Sequence, residues 1–395
     1  MAYIDKCGVE FSCDRKTLVK CPREICGQYV IPSSVTCIGE HAFDGCTKLT
    51  AVTIPKSVEI IEKGAFCMCM GLTAIIIPEN LKEIGNEAFY GCKNLINVKM
   101  GSDIEIIGVR AFDGCSNIKS IVFGNKLQSI GEYAFCGCSQ LKSLIIPDSV
   151  TSIGEGAFYD CESMESVIIG NNVRSIDNST FYSCSSLRLI NIGIRVARIN
   201  VSSGAFDKCT SLTNIVVESG NNYFDSRNNC NAIIDTASNT LVFGCKSTII
   251  PNSVTHIGDC AFHGCHGLSS VVIPNSVISI GKSAFAYSPD LISIVIPNSV
   301  ASIGDYAFMS CSSLSSIDIP NSVKELGKYI AEECTNLQEI TISQSAPYAI
   351  QLRSELPSSI LVRAIEPGIL TCYHCGKTKI PTSAQYCPEC GNKFI

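Results

Sequence analysis

Four cysteines near the C-terminus are spaced as the ligands of one metal ion. They form two pairs, Cys372 with Cys375 and Cys387 with Cys390, and a glycine follows each pair. A two-residue gap lets both sulfurs of a pair reach one ion, and two such pairs give tetrahedral coordination by four thiolates. The glycines allow backbone N–H groups to turn toward the negatively charged sulfurs. The pattern predicts one bound zinc ion.

This segment resembles a zinc ribbon, and the sequence CPECG, which begins at Cys387, is its most typical part. All four ligand positions are filled by protein, so the resemblance implies a structural ion and not a catalytic one. A segment of this size cannot fold on a hydrophobic core alone, and metal binding supplies on the order of 10 kcal/mol. We therefore expect a separate zinc-ribbon domain at residues 366–395.

A repeat organises the rest of the chain. A phenylalanine recurs every 23 residues from Phe43 to Phe181, and the same spacing returns from Phe262 to Phe308. Eleven of the 16 phenylalanines fall at this position, which predicts a continuous phenylalanine spine. A fixed period of this length is typical of a solenoid, in which each coil buries its apolar side only against its neighbours.

One coil shows how the repeat should fold. Ile317 and Ile319 alternate with outward residues on a short strand, and Pro320 ends that strand because it has no N–H to donate. Ile303 belongs to a second inward pair, and Gly304 allows a corner where a side chain would clash. The Ala-Phe pair that follows is expected on a tight helical turn.

These residues resemble the BspA-like leucine-rich repeats, over nearly all of residues 8–342. The expected fold class is therefore a repeat solenoid, β-rich and right-handed with short helical turns, plus the small zinc-ribbon domain. The resemblance also implies a protein-binding role, and proteins of this type are often exposed at the cell surface.

Two similar hairpins divide the chain into units. The first lies in residues 8–19 and the second in residues 231–243, and each leads into a regular coil. The second hairpin is interpreted either as a projection that helps to bind a partner or as a tolerated insertion on one rim. A short helix within 347–356 and an edge strand at 359–362 would close the far end. The expected units are a capping hairpin at 1–30, repeats at 31–217, an inserted hairpin at 218–249, repeats at 250–342, a C-terminal cap at 343–365 and the zinc ribbon at 366–395.

The 25 cysteines do not indicate a disulfide framework, because many occupy one position of the repeat. In leucine-rich repeats that position faces the interior, where a thiol behaves as a small hydrophobe with a weak donor. The eleven cysteines at this position are Cys46, Cys69, Cys92, Cys115, Cys138, Cys161, Cys184, Cys209, Cys265, Cys311 and Cys334.

Composition and the N-terminus limit location and partners. The first residues lack an apolar core and a small-residue cleavage site, so we expect a cytoplasmic protein with reduced thiols. The alternative, which follows from the resemblance, is a cell-surface protein exported by a route that the sequence does not announce. No apolar run is long enough to span a membrane, and the net charge of −6 argues against nucleic-acid binding by the chain as a whole.

A column of aliphatic residues is predicted on the outward side of the main strands. Long apolar patches facing solvent usually mark interaction surfaces, although valine and isoleucine also suit any strand. A neighbouring column of small and polar residues begins at Ala51. The predicted partner-binding residues are Ile76, Val122, Ile145, Ile168, Val216, Val272 and Val295.

Nothing in the sequence resembles a catalytic motif. There is no G-x-S-x-G elbow, no Walker loop and no HExxH. The favoured function is a non-enzymatic scaffold that binds a protein ligand, and no small-molecule substrate, through its strand face. The two alternatives are a BspA-like adhesin and an intracellular nucleic-acid-associated factor that binds through the zinc ribbon.

Overall fold

Each repeat forms one coil that contributes a main strand and a short strand to two parallel ladders. The computed structural model describes residues 2–343, 346–357, 359–365, 369–370 and 380–381. The main strands are Gly27–Val30, Leu49–Thr53, Ala74–Ile76, Asn97–Lys99, Ser143–Ile145, Ser166–Ile168, Leu189–Ile192, Asn214–Val217, Ser270–Val272, Ser293–Val295, Ser316–Asp318 and Glu339–Ser343. The short strands are Cys37–Ile38, Ile60–Ile61, Glu83–Ile84, Ile106–Ile107, Ser129–Ile130, Ser152–Ile153, Ser175–Ile176, Arg198–Ile199, His256–Ile257, Ser279–Ile280, Ser302–Ile303 and Glu325–Leu326.

Strands of successive coils pair in register, one repeat apart. Ser166 lies opposite Ser143 and Ile168 opposite Ile145, and the same register recurs between Ser270 and Ser293 and between Ser316 and Glu339. The inward residues Ile317, Ile319 and Ile303 are at most 2% exposed. The predicted stacked solenoid is thus confirmed. The interior is filled by aliphatic side chains that no single coil could bury alone.

Among the coils before the insert, the main ladder is interrupted at one coil. Residues 120–122 form no strand and contribute a single bridge, between Ser120 and Asn97. In this coil Phe123 replaces the isoleucine that normally follows the main strand, and its ring tilts at 60° against that of Phe135, with the ring centroids 5.7 Å apart. The larger side chain has no equivalent in the neighbouring coils, and the ladder is broken beside it.

The expected helical turn is instead a pair of tight turns. In the coil of residues 296–318, Tyr306 and Ser310 both have left-handed backbone angles, with φ of 57°. The Phe308 N–H donates to the Ile330 carbonyl of the next coil at 2.8 Å, whereas a helix would direct it back within its own coil. The prediction of a short helical turn was therefore wrong, and this side of the solenoid adds a third set of bonds between coils.

Phenylalanine rings stack along the interior in two runs. From Phe43 to Phe206, successive ring centroids lie 4.8–6.0 Å apart with interplanar angles of 10° or less. A second run extends from Phe262 to Phe308 at 5.0–5.6 Å. Phe243 of the insert prolongs the first run, 4.9 Å from Phe206. The predicted spine exists, but the insert divides it.

The cysteines that share one repeat position form a column, the cysteine column, and most of them bond to the coil before their own. The Cys69 thiol donates to the Phe43 carbonyl at 3.1 Å, and the same bond recurs along the solenoid. Where the column holds Ser288, its hydroxyl donates to the Phe262 carbonyl at 2.8 Å. This position therefore requires a small inward donor.

The insert is part of the solenoid wall and not a projection. Its strands are Phe224–Asp225, Ala232–Asp235 and Thr240–Gly244, which pair antiparallel before the last one joins His256–Ile257 in parallel. Its residues 232–234 are fully buried. The insert lies between two arrays of coils, the first array at residues 31–217 and the second array at residues 250–342. Neither interpretation from the sequence anticipated this position. Two 3₁₀ turns lie nearby, at Val201–Ser203 and Arg227–Asn229.

The N-terminal unit has the same topology as the insert. Its strands are Tyr3–Ile4, Glu10–Phe11 and Thr17–Lys20, and the last pairs in parallel with the first short strand. The similarity of the two hairpins predicted from the sequence is thus confirmed. Each array of coils begins on a unit of this kind.

At the C-terminal end, helix Ala349–Glu355 and strand Leu361–Ile365 cover the last coil, as predicted with small shifts of the boundaries. Leu352 of the helix is fully buried. Two further strands, Ile369–Leu370 and Ile380–Pro381, pair antiparallel. The predicted zinc ligands Cys372, Cys375, Cys387 and Cys390 lie outside the described residues. Within the described ranges, no helix has both the length and the apolarity needed to cross a bilayer.

Candidate interaction surface

The predicted aliphatic column lies on the solvent side of the main strands. Side chains alternate between the two faces of each strand, so Leu144 is buried whereas Ile145 is 64% exposed. The exposed fractions of the seven predicted residues range from 40% at Val216 to 80% at Val122. The column therefore faces solvent along its whole length.

Strand pairing sets which members of the column are neighbours. Ile145 lies opposite Ile168, and Val272 lies opposite Val295, so each pair forms a continuous aliphatic surface. Ile76 is paired instead with Lys99. The other two members, Val122 and Val216, are set apart, the first by the interrupted ladder and the second by the insert. The structure thus brings the seven residues to one side of the strands, but in separate groups.

Two members of the column were missed from the sequence. Val30 is 67% exposed and Ile249 is 74% exposed, at the coil position equivalent to Val272. Each stands directly before an Ile-Pro pair, as Val272 does. That local signal could have identified both, although they belong to the hairpin units and not to regular repeats.

A column of small polar residues lies beside the aliphatic one. Ser143, Ser270 and Ser293 are exposed at the first position of their main strands, two residues before the aliphatic column. Side chains two apart on a strand point to the same face. The surface therefore offers hydroxyl groups next to apolar groups, which suits contact with a polypeptide.

Three thiols of the cysteine column lack the properties of nucleophiles. Burial raises the pKa of Cys265 and of Cys311 to about 12, and that of Cys334 to about 11. A reactive cysteine needs the opposite shift, because the thiolate is the nucleophile. These thiols stay protonated near neutral pH and serve the packing of the coils.

Other chemistry-bearing side chains are engaged locally. His263 lies 3.3 Å from an Asp207 carboxylate oxygen, and its ring meets Tyr287 edge-on with the centroids 5.2 Å apart. Across the part of the chain that the structure describes, no three histidine, cysteine or acidic side chains are grouped so as to hold a metal ion. The four predicted zinc ligands are not among these residues.

The parallel ladders, the cysteine column and the 23-residue coil define a leucine-rich-repeat β-solenoid. A family profile described as the BspA type leucine rich repeat region matches six copies, over residues 25–138, 105–234 and 241–351. The chain belongs to this family, as the sequence pattern predicted.

Several solved structures share the fold. A leucine-rich repeat protein from Bacteroides ovatus is 25% identical, with a TM-score of 0.59, 92% of this chain covered and 90% of that one. A leucine rich cell surface protein from Faecalibacterium prausnitzii is 24% identical, with a TM-score of 0.58 and coverage of 93% and 95%. The pneumococcal vaccine antigen PcpA is 17% identical, with a TM-score of 0.56 and coverage of 92% and 98%. No curated protein matches the chain.

Proposed function

We propose that this chain is a non-enzymatic scaffold that holds a protein ligand against the main-strand face of its solenoid. The observation that supports this proposal is the exposed aliphatic column, in which Ile76, Val122 and Ile145 are each more than 60% exposed. Exposed apolar groups gain free energy when a partner removes them from water, at about 25 cal/mol per Å². Aligned on a rigid array, they offer a preformed contact surface.

Photocrosslinking from two matched serines tests the proposed face. Ser143 lies outward on a main strand and Ser152 outward on a short strand, and both are exposed. With p-benzoylphenylalanine at one position at a time, a lysate of the source cells should give a discrete protein adduct from position 143 and none from 152. Adducts of similar yield at both positions, or none at 143, would contradict the proposal.

A double variant links that adduct to the aliphatic column. Ile145→Asp with Ile168→Asp places carboxylates on a face that is already open to water, so folding should be unchanged while the adduct from position 143 is lost. The urea midpoint of the variant provides the folding control. An adduct that persists in the folded variant would remove the column from the binding site.

We further propose that residues 366–395 form a zinc ribbon held by Cys372, Cys375, Cys387 and Cys390. The support is the spacing of the two cysteine pairs and the antiparallel pairing of Ile369–Leu370 with Ile380–Pro381, which flank the first pair in the sequence. A hairpin there would bring the ends of the intervening segment together. The ion would stabilise the segment and leave no open position for catalysis.

Metal content tests the ribbon directly. The purified chain should contain one equivalent of zinc by mass spectrometry of the metal, and Cys387→Ser should release it. Cys311→Ser, which alters a buried thiol of the solenoid, is the matched control and should keep the metal. A parent chain with near-zero zinc would contradict the proposal.

A further inference from the structure

Charge is distributed unevenly over the main-strand face. In the first array, three outward positions recur in each coil, beginning at Thr50, Ala51 and Thr53. They hold four cations and one anion, in a chain whose net charge is −6. These charged residues are Lys99, Lys119, Lys142, Glu165 and Arg188, and all five are exposed.

The four cations lack ionic partners among the described residues. None of them forms an ion pair within 4.0 Å, although other surface cations of the first array do, such as Lys126 with Asp103 at 2.8 Å. Lys119 and Lys142 occupy the same position in successive coils, so their positive charges lie side by side. A surface that keeps like charges adjacent and unpaired attracts anionic groups.

The rest of the solenoid carries the opposite sign. On the short-strand side, a groove of about 810 Å³ is lined by Glu40, Glu59, Glu62 and Glu83 with two lysines. In the second array, the three outward positions hold Asp318 and Glu339 and no cation. The positive charge of the main-strand face is therefore confined to the first array.

We propose that the main-strand face of the first array binds an acidic, aliphatic-containing polypeptide segment. The exposed Lys142 stands directly before the strand that carries the exposed Ile145, and Lys119 holds the same position one coil earlier, so one extended segment can meet both kinds of side chain. The three outward positions include no aromatic residue, so nucleic-acid bases would have nothing to stack on. The inference rests on the proposed function and specifies the chemistry of the partner.

Coil spacing gives the length of the segment. From Ile76 to Val216 there are six steps of about 4.8 Å, and an extended chain advances about 3.3 Å per residue. A segment of about nine residues would therefore cover the face. Only alternate residues of an extended segment contact one surface, so acidic and aliphatic residues should alternate at every second position.

Peptide binding to the full chain tests the inference. The probe is a fluorescent twelve-residue peptide with three Glu-Ser-Val-Ser repeats, and its controls replace Glu by Lys or Val by Ser. At low ionic strength the Glu-Val probe should bind at least tenfold more tightly than either control, and its affinity should fall as salt is added. Equal binding of the Lys peptide, or no binding of the Glu-Val probe, would overturn the inference.

A matched pair of variants localises the binding. Lys119→Glu with Lys142→Glu should weaken probe binding at least tenfold. Lys63→Glu with Lys324→Glu changes the net charge equally at exposed positions off this face, and should stay within twofold of the parent chain. Equal losses in the two variants would overturn the inference, because they would show a nonspecific charge effect.

Two other ligands of the main-strand face would give different experimental results. Tighter binding of a twelve-nucleotide oligothymidylate, lost in the Lys119→Glu, Lys142→Glu variant, would assign the face to nucleic acid. A dimer of the free chain in sedimentation, abolished by the same variant, would assign it to a second copy. Both would overturn the inference. An adduct from position 143 that maps to a neutral or basic segment of the partner would overturn it too, but would leave the proposed function intact.

Discussion

At the residue scale, the position of the cysteine column combines apolar packing with the donation of a hydrogen bond to the preceding coil. The Cys311 thiol is fully buried among apolar neighbours and donates to the Phe285 carbonyl at 3.1 Å. Ser288 makes the equivalent bond in the coil before. A buried hydroxyl is costly only when it lacks a partner, so a serine is tolerated where an acceptor is already in place. The position therefore depends on a donor of small size and not on redox chemistry.

The outward residues of the main strands differ from the buried ones in what they contribute to packing. Ile145 and Ile168 are exposed and contribute little to packing, whereas Leu144 and Val167 beside them are buried. Strand propensity accounts for an isolated exposed isoleucine, but not for four cations against one anion at the outward positions of the same strands. The combination of aliphatic and cationic residues is the feature that distinguishes the first array.

At the scale of elements, the insert is the joint between the two arrays. Ile233 and Phe243 pack with the first array, whereas Ile234 and Leu241 pack with the second. The Asn221 side chain donates to two backbone carbonyls of the preceding coil, at 3.0 and 3.1 Å, which fixes the insert to that coil. The hairpin therefore packs against both arrays and connects their hydrophobic cores.

Gly244 is predicted to be essential to this joint. A Cβ atom there would overlap the ring of Phe262, which is fully buried and cannot move aside. Gly244→Ala should therefore destabilise the chain by about 1–3 kcal/mol and weaken the coupling between the arrays. The chain has no tryptophan, so Tyr90→Trp or Tyr329→Trp, introduced singly, would report urea unfolding of one array.

The two reporters should give coincident curves in the parent and separate curves in Gly244→Ala. Gly264→Ala is the control, because among the described residues no atom beyond its two chain neighbours lies within 4 Å of its Cβ position and only its left-handed backbone is strained. Coincident curves in both variants, with equal losses of stability, would show that the contact with Phe262 does not couple the arrays.

The repeat made most of the solenoid predictable, because its inward residues recur at fixed positions. The insert could not be placed, since the burial of Ile233 depends on contacts across the joint and not on its own sequence. The turn before Phe308 was mistaken for a helical one, because left-handed residues such as Tyr306 carry no glycine signal. The exposed column was found, but Val30 and Ile249 lie outside the regular repeats. The zinc ligands remain a prediction.

At the scale of the whole molecule, three thiols of the cysteine column make stability depend on alkaline pH. In the folded chain burial raises the pKa of Cys265 and Cys311 to about 12 and that of Cys334 to about 11. In the unfolded chain a thiol has its ordinary pKa of about 8.5. Above that pH the unfolded state binds fewer protons than the folded state, so the free energy of unfolding falls as pH rises.

The predicted loss is confined to a definite pH window. The stability due to these thiols is fully present below about pH 8.5 and is lost as the pH rises toward 11, at about 1.4 kcal/mol per pH unit for each thiol. Urea unfolding under reducing conditions should therefore give a constant midpoint from about pH 7 to 8 and a steep decline from about pH 9 to 10.5. Cys311→Ser removes one titrating thiol but keeps the hydrogen-bond donor, so its decline should be shallower by about 1.4 kcal/mol per pH unit. A variant slope equal to that of the parent would show that lysine and tyrosine titration, and not the cysteine column, causes the alkaline loss.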